Sequence, residues 1–388
     1  MNEADGSVTI KVNRTGGTSG VVTLSYTTND AGASINCGVF NSLASSRCDF
    51  TTALGTLQFN SGETQKSIVV LISRDSYTEG PEAFTVGLSN LNGPAIFGNP
   101  TTATITINDS PPPAPNAADD PTNFVRQHYH DFLNREPDQA GLNFWVNTIT
   151  QCNGDPQCIE VKRINLSAAF YLSIEFQETG YLVERLYKAS YGDADGTSKL
   201  SGATQNIKVP IVRFNEFLSD TQEIGQGVVV NQGNWQQQLE INKNAFAAEF
   251  VQRSRFASMY PTTMRPRDFV ARLFINTGVL PTFADEQAAI NEFGTATDTA
   301  DLAARGRALR KIAENTTFNQ AEFNRAFVLM QYFGYLRRNP NDAPEPGLDY
   351  SGFDFWLTKL NQFGGNFQNA EMVKAFINSD EYRHRFGP

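Results

Sequence analysis

The first 110 residues alternate apolar and polar positions with the period of two that is typical of β-strands. The runs are rich in Val, Ile and Thr, and turns of Gly, Asn, Asp and Ser separate them. Five stretches carry the pattern: SVTIKVNRTGG, VVTLSYTTN, GTLQFNSGETQKSIVVLISRD, EAFTVGLSNL and TTATITIND. Several short strands at this spacing predict an antiparallel β-sandwich.

The pattern changes after a Pro- and Ala-rich stretch, NDSPPPAPNAADDPT, at residues 108–122. This composition favours an extended, semi-rigid linker. Beyond it, apolar residues recur at helical spacing in long amphipathic runs. The predicted fold class is multidomain β plus α. The predicted domains are an immunoglobulin-like sandwich at 1–109, a linker at 110–121 and an all-helical domain at 122–388.

The helical part contains an internal repeat. Residues 124–145, FVRQHYHDFLNREPDQAGLNFW, align with residues 327–356, where the second copy has a short insertion. Weaker copies begin at YLVERLYKASYGD and FVARLFINTGVLP. This periodicity predicts stacked helical units that bury aromatic side chains between neighbours. The four predicted units span about 122–180, 181–260, 261–323 and 324–388.

The NREPDQAGLNFW stretch has a structural explanation. Pro137 stops one helix, and Asp138 can cap the next by accepting backbone N–H bonds. Gly141 permits a close approach, and we expect Phe144 and Trp145 to anchor the core. A ligand site at the Arg and Asp residues of this stretch is the alternative.

The same signature resembles a bacterial family of unknown function that occurs in large secreted and surface proteins. The resemblance covers residues 120–180 and 320–388 and is weaker between them. We expect Arg135 to bond nearby carbonyls or the capping acid, and Arg338 to repeat that role. The resemblance implies a location on the bacterial surface rather than a chemistry.

Acidic residues interrupt the sheet-like region in ISRDSYTEGPEAF, at residues 72–84, just after an apolar strand. This segment contains Asp75, Glu79 and Glu82. Further acids flank the other predicted strands: Glu3, Asp5, Asp49 and Asp109. Because the loops of a sandwich gather at its two ends, acids from distant loops can meet there. A hard cation such as Ca²⁺ takes six to eight oxygen ligands, which such carboxylates supply.

The first 110 residues closely resemble a Calx-β domain. The shared features occur in order: the RTGG turn, the GTLQFNSGETQK hairpin, the EGPEAF step and the closing ATITIND. Calcium-binding members of that family take their ligands from positions that correspond here to Glu3, Asp49, Asp75, Glu79, Glu82 and Asp109. The resemblance therefore implies a Ca²⁺ site at these six residues.

Two departures from the family pattern leave an alternative open. Arg74 precedes Asp75 where the family often has two acids, and the terminal acidic run is reduced to Asn108, Asp109 and Ser110. The alternative to a calcium site is a solvated acidic rim that is partly paired with Arg74.

Only Met1 and Asn2 precede Glu3, where a Calx-β domain normally begins with a strand. A sandwich without that strand would expose an unpaired edge. Either the sequence is truncated, or another domain or a neighbouring subunit supplies the strand by β-strand addition.

The four cysteines form two close pairs in polar, loop-like stretches: Cys37 with Cys48, and Cys152 with Cys158. Paired loop cysteines predict disulfides and an oxidising compartment. Free thiols are the alternative, and a metal site is disfavoured because neither pair has the spacing of a zinc site. The chain begins without a signal peptide, so an extracellular protein would be numbered from within a longer precursor.

Composition and charge exclude several classes of function. A net charge of -10 leaves no basic surface for nucleic acid. No apolar run is long enough to span a membrane. No specific catalytic motif occurs, so we predict that the protein is not an enzyme.

The predicted function is that of an extracellular structural or adhesion protein of a bacterial cell surface. Its expected partner is a protein, most simply further copies of itself in a filament or surface layer, and Ca²⁺ is its expected cofactor. A carbohydrate- or protein-binding module of a larger secreted protein is the alternative.

Overall fold

The computed structural model describes residues 1–33 and 36–388. Six strands form the N-terminal part: β1 (Ser7–Asn13), β2 (Val22–Asn29), β3 (Leu54–Phe59), β4 (Gln65–Leu71), β5 (Glu82–Asn92) and β6 (Thr102–Ile107). All of their pairings are antiparallel. Strands β1 and β4 form one sheet, and a second sheet has the order β3-β2-β5-β6. The predicted antiparallel sheets are confirmed.

One apolar core lies within these sheets, and it follows from the period-two pattern. In β4, Ile68 and Val70 are buried while Val69 between them is half exposed. Phe50 stacks on Phe84 with ring centroids 4.1 Å apart. The alternation predicted from the sequence therefore selects which side chains enter the core.

Helices dominate from residue 121 onward. Their bounds are α1 (Pro121–Leu133), α2 (Gln139–Thr150), α3 (Pro156–Leu172), α4 (Ile174–Glu178), α5 (Gly180–Tyr191), α6 (Phe214–Gly225), α7 (Trp235–Phe250), α8 (Ser254–Met259), α9 (Pro266–Thr277), α10 (Phe283–Ile290), α11 (Leu302–Ala313), α12 (Thr316–Met330), α13 (Ser351–Gln362), α14 (Met372–Ile377) and α15 (Asp380–Arg383). A π-helical segment, Gln331–Leu336, directly follows α12. In the described part of the chain, no helix combines the length and the apolar character that crossing a membrane requires.

The prediction of an all-helical region is wrong at one place. Two short strands, β7 (Ala194–Ser198) and β8 (Gln205–Val209), pair as a hairpin. These strands lack an apolar alternation, and the only buried residues in them are Ser198 and Val209. Gly196 permits Tyr350 to approach the hairpin closely, because a Cβ there would lie 2.8 Å from the Tyr350 ring.

The chain divides into two compact units. The first comprises Met1–Phe170 and Val373–Pro388, and the second comprises Tyr171–Met372. The first unit thus contains the β-sheets, α1, α2, most of α3 and the end of the chain. These two units reflect how the chain packs and do not correspond to the predicted domains. The predicted domain bounds and the four repeat units therefore stay predictions.

The predicted extended linker is ordered near its end. Residues Ala117–Asp119 form a 3₁₀ turn, and Asn116, Ala117 and Ala118 are buried. The Asn123 side-chain amide donates to the Ala117 carbonyl oxygen at 3.2 Å. The expectation of an extended spacer is wrong here because small side chains allow this stretch to pack closely.

The repeated signature behaves mostly as predicted. Asp138 caps α2 by accepting from the Gly141 N–H at 2.9 Å. Arg135 donates to the Glu136 carbonyl oxygen, and Arg338 donates to three carbonyl oxygens in the second copy. One expectation is wrong: the Phe144 side chain is 63% exposed, so it does not anchor the core.

Candidate metal site

The antiparallel topology brings the six predicted ligands to one end of the β-sheets. Ser7 at the start of β1 pairs with Leu71 at the end of β4, and Glu82 at the start of β5 pairs with Ile107 at the end of β6. Glu3 precedes β1, Asp75 and Glu79 follow β4, and Asp109 follows β6. We call Glu3, Asp49, Asp75, Glu79, Glu82 and Asp109 the carboxylate cluster.

Five members of the carboxylate cluster are buried. Their exposed fractions are 5% for Glu3, 5% for Asp49, 1% for Asp75, 5% for Glu79 and 5% for Glu82. Asp109 is half-buried. Acidic side chains are almost never fully buried unless they are paired or coordinate a metal. The alternative of a solvated acidic rim is therefore not what the fold forms.

Three of the six carboxylates approach one another most closely. Asp49, Glu79 and Glu82 each offer an oxygen, and these three oxygens lie within 4.8 Å of one another. Two oxygens bound to one Ca²⁺ at about 2.3–2.6 Å are separated by at most about 5 Å. These three carboxylates therefore have the spacing that one cation requires. Glu3, Asp75 and Asp109 lie outside this closest group.

Backbone N–H groups fix the orientation of the carboxylates. The Ser45 N–H donates to Asp49 at 2.5 Å, and the Ser110 N–H donates to Glu3 at 3.0 Å. The Gly80 N–H donates to Asp109 at 3.0 Å. These donors lie in loops, and no sequence pattern marks them.

Asp75 carries the most informative atom of the cluster. Its Oδ1 accepts from the Tyr77 N–H at 2.7 Å, while its Oδ2 is buried without a hydrogen-bond partner. A buried carboxylate oxygen without a partner costs about 1–3 kcal/mol or more. A bound cation would remove that cost, so this atom fits a metal ligand.

Burial and mutual repulsion raise the pKa values of five of the six carboxyl groups. Desolvation, followed by smaller effects that include the neighbouring Asp109, raises the pKa of Glu3 to about 7. Desolvation and the Glu79 charge raise the pKa of Glu82 to about 8. Burial raises the pKa of Asp49, Asp75 and Glu79 as well. Ionised carboxylates in this site therefore repel one another unless a bound cation compensates for their charge.

Arg74 does not neutralise the cluster through an ion pair. Its guanidinium donates to the Pro111 carbonyl oxygen. Among the described residues, none of the six carboxylates has a Lys, Arg or His nitrogen within 4.0 Å. Arg74 therefore acts on the cluster only at longer range, where its charge slightly lowers the pKa of Glu3.

Both predicted disulfides are present. Cys37 pairs with Cys48, and Cys152 pairs with Cys158. The first bond closes a loop immediately before Asp49. This loop belongs to the part of the chain that contains strands β1 to β6, which we call the β-domain. No cysteine among the described residues is free. The alternative of free thiols is excluded.

Comparison with known proteins matches two families to separate parts of the chain. Residues 1–111 match the Calx-beta domain, and residues 116–180 match a domain of unknown function, DUF4214. The chain thus consists of a Calx-beta domain followed by a largely helical region that begins with a DUF4214 domain. This confirms both resemblances noted in the sequence.

One curated relative is the extracellular matrix organizing protein FRAS1 of Mus musculus. It is 34% identical over 110 residues, which are 28% of this chain and 3% of FRAS1. The chain therefore spans a very small part of that relative's length.

Solved structures with similarity include the apo-form Calx CBD1 domain, at 26% identity and a TM-score of 0.25. That match covers 28% of this chain and 87% of the solved one. The calcium binding domain CBD12 of CALX1.1 is 24% identical, also with a TM-score of 0.25, and the match covers 29% of this chain and 43% of that one.

Proposed function

We propose that the carboxylate cluster binds Ca²⁺. The observation that carries the proposal is the buried group of Asp49, Glu79 and Glu82 beside the unpartnered Asp75 Oδ2. All the available ligands are oxygens, which suit hard cations rather than zinc or copper. Carboxylates from several loops suit the flexible, high coordination number of Ca²⁺ better than the strict octahedron of Mg²⁺.

We further propose that the protein is extracellular and acts as a structural or adhesion protein of a bacterial cell surface rather than as an enzyme. The two disulfides support an oxidising compartment. The name of FRAS1 as an extracellular matrix organizing protein supports a structural role. Calcium then stabilises the β-domain at the millimolar concentrations that extracellular modules meet.

We propose that copies of the protein associate by β-strand addition. Strand β6 is an edge of its sheet. Met1 pairs with the outer side of β6 at Thr106, where its N-terminal amine donates to the Thr106 carbonyl oxygen at 3.0 Å. Backbone groups of alternate residues face the same side of a strand, so Thr104 also faces outward. A strand from another copy could continue the pairing there.

Calorimetric titration of the EDTA-treated protein with CaCl₂ tests the calcium proposal. We expect a dissociation constant on the order of 10⁻⁴–10⁻³ M or tighter. Glu79→Gln should weaken binding by at least about tenfold, because one charged ligand is lost. Glu63→Gln is the matched control, since Glu63 lies in the same domain and pairs with Lys66 on the surface. Absence of binding up to about 10 mM, tenfold above the weakest extracellular sites, would refute the proposal.

A cleft in the second unit favours a second function, a carbohydrate-binding module of a larger secreted protein. The cleft has a volume of about 660 Å³, and its lining includes Asn319, Gln320, Asn324 and Asn361. Arg325 also lines it but pairs with Glu322 at 2.9 Å, so its charge is compensated. Uncharged amides suit a neutral polyhydroxylated ligand.

Titration with neutral oligosaccharides, monitored by amide NMR shifts, tests this second function. Shifts confined to the cleft and abolished by Asn324→Ala would support it. If no amide shifts with any oligosaccharide, carbohydrate binding at this cleft is refuted.

A further inference from the structure

The loop that carries Asp75 also holds the end of the chain. The Ser76 N–H donates to the Phe386 carbonyl oxygen at 3.0 Å. The Tyr77 hydroxyl donates to the His384 carbonyl oxygen at 3.2 Å. These two donors directly follow Asp75, which belongs to the carboxylate cluster. We call residues 379–388 the C-terminal segment. The loop that supplies Asp75 to the cluster therefore also binds this segment.

The loop that carries Asp49 makes a second attachment. Arg47 lies two residues before Asp49 and pairs with Glu381 at 2.7 Å. The Arg47 carbonyl oxygen accepts from Arg385 Nε at 3.2 Å. The Ser73 N–H donates to the Asp49 carbonyl oxygen at 2.9 Å, which joins the two loops to each other.

The C-terminal segment also has anchors that do not involve these loops. Arg385 is 2% exposed and binds Asp131 of α1 through two hydrogen bonds, at 2.9 and 3.1 Å. The Asn116 side-chain amide donates to the Arg383 and Gly387 carbonyl oxygens. These contacts keep the segment close to α1, while the two loops determine how firmly it is held on the β-domain.

We propose that cation binding at the carboxylate cluster and docking of the C-terminal segment on the β-domain are linked. This inference rests on the proposed calcium binding. Without a cation, repulsion between Asp49 and Asp75 favours separation of their loops, which moves Ser76 and Arg47 away from the segment. A cation that both loops ligate holds these attachment points together.

Linkage makes the effect reciprocal. If Ca²⁺ tightens docking of the segment by a given factor, a docked segment tightens Ca²⁺ binding by the same factor. The C-terminal segment lies about 300 residues from these loops in sequence. Its docking would nevertheless regulate the affinity of the cluster for Ca²⁺.

Hydrogen exchange of the full chain with CaCl₂ and with EDTA tests the linkage. We expect the amides of Ser76 and residues 383–386 to exchange at least about tenfold more slowly with calcium, because their bonds open less often. The β7–β8 hairpin of the second unit serves as an internal control, and its exchange should not change.

Two variants test the reciprocal effect by calorimetry. Glu381→Gln removes the pair with Arg47 and should weaken Ca²⁺ binding about twofold to fivefold, as expected for a partly exposed ion pair. Tyr77→Phe removes the bond to His384 and should weaken binding similarly. Glu371→Gln is the matched control, because Glu371 is exposed and lies in the second unit.

The outcomes separate this inference from the calcium proposal. Calcium binding with unchanged exchange in the segment, or with unchanged affinity in both variants, would overturn the linkage and leave the calcium site intact. A protein that binds no calcium in calorimetry would overturn the calcium proposal itself.

Discussion

At the residue scale, the buried carboxyl group of Asp75 lowers the stability of the fold but suits the binding of a cation. It is 1% exposed, its Oδ2 has no hydrogen-bond partner, and other carboxylates surround it. Such an arrangement lowers stability unless a ligand compensates for it. The residue is therefore better explained by cation binding than by folding.

Asp75→Asn should raise the free energy of unfolding in EDTA by about 1–2 kcal/mol, because it removes a source of repulsion in a buried site. The same variant should lose the stabilisation that calcium gives to the wild type. Urea denaturation in EDTA and in CaCl₂ measures both effects. Asp30→Asn, at a half-exposed position of the same domain, is the control. A large destabilisation by Asp75→Asn in EDTA would show that its charge supports the fold.

His128 illustrates a buried polar residue whose role is structural. Its Nδ1 lies 2.8 Å from the Phe124 carbonyl oxygen, so this nitrogen carries the proton. Its Nε2 then accepts from the Ser167 hydroxyl at 2.8 Å. Burial lowers the pKa of His128 to about 4.

This lowered pKa predicts acid destabilisation. Above about pH 6.5, His128 is neutral in both the folded and the unfolded chain, and its contribution is fully present. As the pH falls from about 6.5 to about 4, the unfolded chain takes up the proton first, and up to about 3 kcal/mol is lost. The stability difference between wild type and His128→Gln should shrink over this window. His384→Gln, at an exposed position, is the control.

At the element scale, the repeated signature produces the same local construction twice. Asn134 ends α1 and Arg337 ends the π-helical segment, both in the left-handed region. A Cβ at Gly141 would collide with the Tyr129 hydroxyl oxygen, and one at Gly352 would lie 2.6 Å from the Tyr332 hydroxyl oxygen. The glycine of the signature thus has the same role in both copies.

Gly141→Ala should destabilise the protein by about 1–3 kcal/mol through this collision. Combining it with Tyr129→Phe should recover part of the loss, because the opposing oxygen is removed. Thermal unfolding of the single and double variants measures the coupling. Gly98→Ala is the control, since nothing lies within 4 Å of a Cβ there. Strict additivity would contradict the proposed contact.

The Cys37–Cys48 disulfide should support the calcium site because it closes the loop before Asp49. Replacing both cysteines with Ser should lower the affinity for Ca²⁺ several-fold, since the loop must then be ordered on binding. Replacing Cys152 and Cys158, which lie outside the β-domain, should leave the affinity unchanged. Calorimetry measures the Ca²⁺ affinity of both double variants. Equal affinities would show that the Cys37–Cys48 disulfide does not support the calcium site.

The elements also show what sequence reasoning can predict. Alternation of apolar residues predicted the sheets. The resemblance to a Calx-β domain supplied six candidate ligands, of which Asp49, Glu79 and Glu82 lie within 4.8 Å of one another. Exposed Phe144 and the β7–β8 hairpin were missed, since an aromatic residue in a helix and a polar strand carry no local signal of their environment. The attachment of Phe386 to Ser76 was missed for a related reason, because it joins backbone atoms across 310 positions.

At the scale of the whole molecule, assembly depends on the outer edge of β6. Thr104→Pro should prevent polymer formation, because it removes an outward N–H without breaking the ladder with β5. Thr104→Val keeps that N–H and is the matched control. Light scattering and negative-stain microscopy with CaCl₂ and with EDTA compare the three proteins. A wild type that stays monomeric in both conditions would refute assembly by strand addition.

The central claim is that the carboxylate cluster binds a cation, and anomalous X-ray diffraction from crystals grown with CaCl₂ tests it most directly. The account predicts a calcium peak about 2.3–2.6 Å from oxygens of Asp49, Glu79 and Glu82. It also predicts that Asp75 Oδ2 turns toward the ion or toward a water bound to it. A map with ordered carboxylates and no anomalous peak between them would contradict the account.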